Sequence, residues 1–312
     1  MARQQGAQAQ LALAFESNYG VKPASGFAKM PFASVTLGSA QPLLASELLG
    51  YGRDPLAPQR DAITVDGEVV IPLDVNSVGF WLKGAFGEPA TAGTTVRTHT
   101  FKTGADVLPS MSIEVQQPQV PHFAMNTGVK VNTLSWTMQR SGLLTARVGL
   151  MGQDEIIAAA TGAGALEDLA IIRFGHFNGS ILRNGTALGN VVSAEVNYTN
   201  NLDQVEVIRD DGLVGGLDPS IASLTGRLTI RFDSRALMEQ ARDGAPCALQ
   251  FGYTLPTGEA LRIEIPAAHF PRAKAPVEGP GGVQVTFDWQ ASQTLTGQPM
   301  ATIVLTNRRE DY

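Results

Sequence analysis

Four histidines and one cysteine are the residues of this chain best suited to metal binding or nucleophilic chemistry. His99, His122, His176 and His269 stand far apart, and none has a second ligand at the short spacing a metal site uses. His122 in "PHFAM" and His176 in "RFGHFNG" sit beside aromatics, as packed or turn histidines do. Cys247, between Pro246 and Ala248, reads as a small buried residue rather than a nucleophile. The chain holds no G-x-S-x-G, no H-E-x-x-H and no P-loop lysine. "TGAGAL" (161–166) has the glycine content of a phosphate loop but not its Lys-Ser/Thr pair, and reads as an inter-domain linker. "RDDGLVGGLD" (209–218) gathers three Asp without the alternating ligands and terminal Glu of a calcium loop, and reads as a turn. A carboxylate pair for glycoside hydrolysis is not singled out either. The expectation is a protein with no catalytic residue, no cofactor and no metal.

The elements that would carry a site are short and mostly extended. "SMSIEVQ" (110–116), "RLTIRF" (227–232) and "GVQVTFDW" (282–289) alternate apolar and polar residues, the period of a strand with one buried face. Two stretches break that rhythm. In 75–86, Val78, Trp81, Leu82, Ala85 and Phe86 share one helical face, with Asp74 or Ser77 to start the helix and Gly87 to stop it. In 234–243, Leu237, Met238 and Ala241 repeat the pattern between Asp233 or Ser234 and Gly244. "GALEDLAIIRFG" (164–175) reads as either a short helix or a linker. Trp81, Trp136 and Trp289 fall on apolar faces and read as core.

Setting residue i against i+159 aligns 32–85 with 191–244 without a gap. Ser34, Leu43, Glu47, Gly67, Ile71 and Asp74 meet identical residues at Ser193, Leu202, Glu206, Gly226, Ile230 and Asp233. The pattern extends further. Val69, Ile71 and Leu73 meet Leu228, Ile230 and Phe232, and Val78 and Leu82 meet Leu237 and Ala241; these ten are the expected strand and helix core. "GVKVNT" (128–133) is set against "GVQVTF" (282–287), and "ARVGL" (146–150) against "ATIVL" (301–305). The reading is a duplication: an N-terminal arm (1–30), a first domain (31–160), a linker (161–178) and a second domain (179–312). Each domain is expected to be a β-sandwich or barrel-like unit with one flanking helix, making the chain mainly β.

Composition narrows the function. Only 17% of residues are charged, which suits a surface partly covered by other copies of the chain. The net charge is −6, without a basic stripe, which argues against tight nucleic-acid binding. The polar start and the lack of a long apolar run set the expectation of a soluble cytoplasmic product. A duplicated sheet with free edges invites pairing between copies.

"ESNYG" (16–20), "LASELLGYGRD" (44–54), "LPSMSIE" (108–114) and "GVKVNTLSW" (128–136) carry a resemblance. With them the chain resembles the major tail tube proteins of long-tailed bacteriophages, in the longer family of about 300 residues, this chain's size. The resemblance implies rings of six β-domains stacked into a hollow virion tube, with inner strands forming a continuous barrel around a channel for DNA. It also implies assembly in the host cytoplasm and contact with tape-measure, distal tail and tail terminator proteins. Two domains per chain would then close the ring with three chains, in pseudo-sixfold symmetry. Leu43, Leu48, Trp81, Phe86, Leu202 and Val207 are the candidate subunit or domain contacts. Glu114, Gln116, Gln284 and Asp288 are the candidate channel-lining residues. Two other readings stay open: a capsid decoration or baseplate protein, and a carbohydrate-binding or hydrolytic β-sandwich.

Overall fold

A computed structural model describes residues 3–277 and 279–312, and the chain is mainly β with two helices. The first half holds β1 (Gln10–Phe15), β2 (Ser34–Val35), β3 (Gly38–Ala40), β4 (Thr64–Pro72), α1 (Val78–Phe86), β5 (Arg97–Lys102), β6 (Met111–Gln117), β7 (His122–Gln139), β8 (Thr145–Gly152) and β9 (Asp154–Ala158). The second half holds β10 (Gly179–Arg183), β11 (Val191–Thr199), β12 (Ser223–Arg231), α2 (Ala236–Asp243), β13 (Cys247–Thr254), β14 (Ala260–His269), β15 (Gln284–Ala291) and β16 (Thr302–Asn307). The expected strands fall within β6, β12 and β15, where the alternation places them.

The ladders form one network that divides naturally into three sheets. The first runs β2/β3–β4–β8–β7–β11–β12–β15, antiparallel throughout, and uses the C-terminal half of β7. The second runs β1–β6–β7–β9 and uses the N-terminal half of β7. The third runs β10–β13–β14–β16–β5. One apolar cluster, from Leu11 to Leu305, fills the space between them and spans both halves. No closed barrel forms among the described residues, where the barrel-like element of the expectation is not found.

The pairing repeats with the sequence. Ser34 faces Val70 and Ala40 faces Thr64. Shifted by 159, Thr199 faces Ser223 and Ala194 faces Leu228, the counterpart of Val35 facing Val69. The segments that follow, 41–63 and 200–222, each form a hairpin arm, with Leu44 opposite Gln59 in one and Asp203 opposite Asp218 in the other. Further along the shift is 139: Val148 lies beside Val69, and Phe287 beside Leu228. Residues 146–150 therefore correspond to 285–289 and not, as their sequence suggests, to 301–305. Short apolar strands resemble one another too closely for composition to choose the register.

The same glycine recurs for a steric reason. A Cβ on Gly67, which has φ +150°, would lie 2.5 Å from Leu37 Cα; one on Gly226 would strike the Glu195 carbonyl and the Trp289 ring. At both positions the neighbouring chain passes too close for a side chain.

Both helices end where their punctuation predicts and α1 begins there, whereas α2 begins after Arg235 without a side-chain cap. Asp74 Oδ1 accepts from the N–H of Asn76 and Ser77 at 2.9 Å, and Oδ2 accepts from Ile172 N–H. Gly244 closes α2 in the left-handed conformation. Asp233, the counterpart of Asp74, is exposed and reaches only Asn190. Phe232 likewise departs from the expected core: it is 38% exposed, whereas the other nine expected core residues are buried. Segment 164–175 is no helix, because its backbone bonds along 73–75: Val75 N–H reaches Ile172 O, and Phe174 N–H reaches Leu73 O.

The segments expected as an arm and a linker are both packed against the rest of the chain. Residues 11–14 are buried in β1, so 1–30 is not a free arm, and Gln4 and Gln5 bond to Gln119. Residues 161–178 are not a free linker, since Glu167–Asp168 pair in parallel with Ala28–Lys29 and Ala163 is buried.

Two expected outcomes follow. Gly226→Ala should lower stability by about 1–3 kcal/mol through overpacking, read as an earlier denaturant midpoint; an unchanged midpoint would contradict the close approach. Asp74→Ala should cost about 2–4 kcal/mol, because it removes a helix cap and orphans a further N–H. Asp233→Ala should stay within about 0.5 kcal/mol, as exposed substitutions do. Equal losses at the two positions would contradict the asymmetry.

Candidate assembly surfaces and a polar sheet face

Strand alternation gives the first sheet two unlike faces. Val69, Ile71, Val148, Leu134, Trp136, Val196, Leu228, Phe287 and Trp289 point into the core. Asp66, Glu68, Arg147, Glu195, Arg227, Arg231 and Asp288 point the other way, among Ser, Thr, Asn and Gln. This polar face runs unbroken from β4 to β15 across both halves. Its arginines are largely neutralised: Arg147 Nη1 lies 2.7 Å from Glu68, and Arg227 Nε lies 2.9 Å from Asp288. The hydrogen bond and charge of Asp288 hold the Arg227 guanidinium above its ordinary pKa.

Of the four candidate channel-lining residues, Gln284 and Asp288 lie on this face and are exposed. Glu114 and Gln116 do not; they are 1% and 6% exposed. The expectation for them is corrected by what lies on top. The glycine-rich stretch wraps the Glu114 carboxylate: Gly162 N–H donates to Oε1 and Thr161 Oγ1 to Oε2, each at 2.6 Å, and Gln116 Nε2 donates to the same Oε2. The loop that resembled a phosphate cradle thus holds an anion of the chain itself.

The candidate contacts divide. Trp81 and Phe86 are buried inside the chain, not at its surface. The Phe86 ring packs at a tilt on Tyr198 of β11, centroids 4.6 Å apart, so it joins the two halves. Burial pushes the Tyr198 hydroxyl well above its ordinary pKa, and its O–H donates to Asn200. Asn200, which alternation did not single out, is the polar clamp of the junction: buried, it donates from Nδ2 to Ala85 O and Val131 O and from its N–H to Asn132 O. Leu43, Leu48 and Val207 lie exposed on the two arms, and Leu202 is half-buried at the base of the second.

The arms have equivalent folds but unequal surroundings. The second lies across the first half: Ile63 N–H donates to Gly212 O, Lys130 Nζ to Leu217 O and Gln153 Nε2 to Val214 O. Burial lowers the Lys130 pKa, against a pull upward from Asp218. The first arm leaves Leu43, Leu44, Leu48, Leu49, Tyr51 and Leu56 exposed. The strand leading into it, β2/β3, is an open edge of the first sheet, whereas its counterpart β11 is paired on both sides.

The residues suited to chemistry are dispersed. His99 is buried between Thr91 and Asn307, and burial holds its pKa below the usual value. Burial raises the Cys247 thiol. Among the described residues, no group of three or more His, Cys, Asp or Glu is placed to hold a metal ion, and no helix is long and apolar enough to cross a membrane.

No curated protein matches the chain. The family model described as phage tail tube protein matches residues 6–291, almost the whole of it, including the polar-faced sheet, both arms and the junction between the halves. The chain belongs to the phage tail tube protein family, and is a structural component of the virion tail.

Proposed function

We propose that each chain supplies two copies of one tube domain, roughly 31–160 and 179–312, and that three chains close a ring of pseudo-sixfold symmetry. Rings stack into the tail tube through which DNA passes. The observation that carries this reading is the shared ladder register of β2/β3 on β4 and of β11 on β12, offset by 159 residues. The β7–β11 ladder joins the two copies inside the chain, and a ring needs the same junction between chains. In that ring the first sheets run edge to edge, so that closure removes their open edges.

The polar face of the first sheet is the proposed channel wall, with Gln284 and Asp288 on it. Two of its three arginines, Arg147 and Arg227, are matched by carboxylates at 2.7–2.9 Å, which reduces the free positive charge available to hold phosphate. A wall offering several unpaired cations would retain DNA strongly, because each phosphate contact releases counterions. The tube is assembled in the host cytoplasm, with tape-measure, distal tail and terminator proteins as neighbours.

Native mass spectrometry of isolated rings should give three chains of 33.0 kDa each; six chains per ring would contradict the reading. Virions carrying Asp288→Lys should eject DNA more slowly, with the delay largest at low salt, since Arg227 loses its partner. Unchanged ejection would remove this face from the channel.

A further inference from the structure

The junction inside the chain specifies the junction between chains. On the reading that copies of this chain form a ring, we propose that the open β2/β3 edge receives residues 272–277 of a second copy, in the register that β7 adopts on β11.

The register follows from two offsets. Residues 34–40 correspond to 193–199, and β7 corresponds to β14, since Lys130 faces Met151 of β8 as His269 faces Gln290 of β15. In β7 the chain continues past Lys130 to Gln139 and pairs with β11, Leu134 opposite Tyr198. In the second half the equivalent continuation, 271–277, belongs to no ladder among the described residues. It nevertheless alternates like a strand: Ala273 and Ala275 pack on the core, whereas Arg272, Lys274 and Pro276 are exposed. Carrying the β7–β11 register over puts Ala273 opposite Ser39, Lys274 opposite Gly38 and Arg272 opposite Ala40. Asn200 N–H donates to Asn132 O, so hydrogen-bonded pairs recur at every second residue from there, and Thr137 is not among them. Pro276 takes the place of Thr137, where its missing N–H costs the ladder nothing.

The receiving edge is already occupied by a substitute. Ser39 N–H, the counterpart of the Tyr198 N–H, points away from β4 and donates to Glu155 Oε2 at 3.0 Å; the Ser39 hydroxyl donates to the same oxygen at 2.5 Å. Glu155 comes from β9 and stands where the incoming Ala273 carbonyl belongs. Its other oxygen is 3.4 Å from where a Cβ of Gly38 would be. Lys274 of the second copy, directly opposite Gly38 on the same face, brings an ammonium to that carboxylate and draws it off the edge. The arm that follows β2/β3 then lies over the second copy's second half, as the second arm lies over the first half within the chain. Its six exposed apolar residues are covered there.

The test uses the full chain with Cys247→Ala and the pair Ala40→Cys and Arg272→Cys, oxidised after assembly. Covalent species ending at the closed ring are expected, and none from the out-of-face control pair Ala40→Cys and Ala273→Cys. Rings that form without the 40–272 crosslink overturn the seam and leave the tube reading intact. A parent chain that forms no rings overturns both. Separately, Glu155→Lys should slow assembly at least about ten-fold, the scale of one lost and reversed ion pair of 1–2 kcal/mol, and adding Lys274→Glu should restore it. An unchanged rate in the single variant, or no rescue in the double, excludes the Glu155–Lys274 contact.

Discussion

The β7–β11 ladder is the constraint on which the rest of this molecule depends. β7 is an 18-residue strand that begins in the second sheet and ends in the first, so a single element fixes the angle between them. Its C-terminal half brings Leu134, Trp136 and Met138 against Ala194, Val196 and Tyr198, all buried. Each backbone hydrogen bond there contributes about 0.5–1.5 kcal/mol net, and each large apolar side chain about 1.5–3 kcal/mol on burial. Apolar burial therefore dominates the strength of the junction, while the hydrogen bonds and the Asn132–Asn200 clamp set its register. The crossing of β5 onto β16 ties the halves a second time. Two ladders between the halves suit a component that must repeat accurately along a tube.

The same ladder gives the sheet its functional face. Because side chains alternate, every apolar residue needed at the junction obliges a polar one on the opposite surface. Nothing in that rule fixes the sign of the charge; the pairing of Arg147 with Glu68 and of Arg227 with Asp288 does. Exposed pairs of this kind add little to stability. If this face lines the channel as proposed, their consequence is less unmatched positive charge in the way of a passing polyanion.

Much of this was legible in the residues. Period-two alternation located β6, β12 and β15, and the repeat of Gly67 at Gly226 marked a point where neighbouring backbones close in on both copies. Asp74 and Gly244 announced the helix ends. What alternation could not reveal is which faces are covered twice. Glu114 has the pattern of an exposed residue, yet 161–163 folds over it, and that contact is set by the path of a distant segment. The crossing of β5 was hidden for a similar reason: a short strand carries no mark of which sheet it will join. Asp233 repeats Asp74 in sequence but has no counterpart of Ile172 beside it, so identity at the position conceals a difference in role. Pro271 and Pro276 blur the alternation of 271–277, which lies in no strand among the described residues.

A tube built by such a chain carries a symmetry that can be seen directly. Electron cryomicroscopy of assembled tubes, reconstructed without imposed symmetry, tests the central claim. Six similar domains per ring that alternate in side-chain density, with threefold symmetry and a β7–β11 type junction at every boundary, are the predicted result. Six identical domains from six chains, or rings in which β2/β3 stays unpaired, would contradict it.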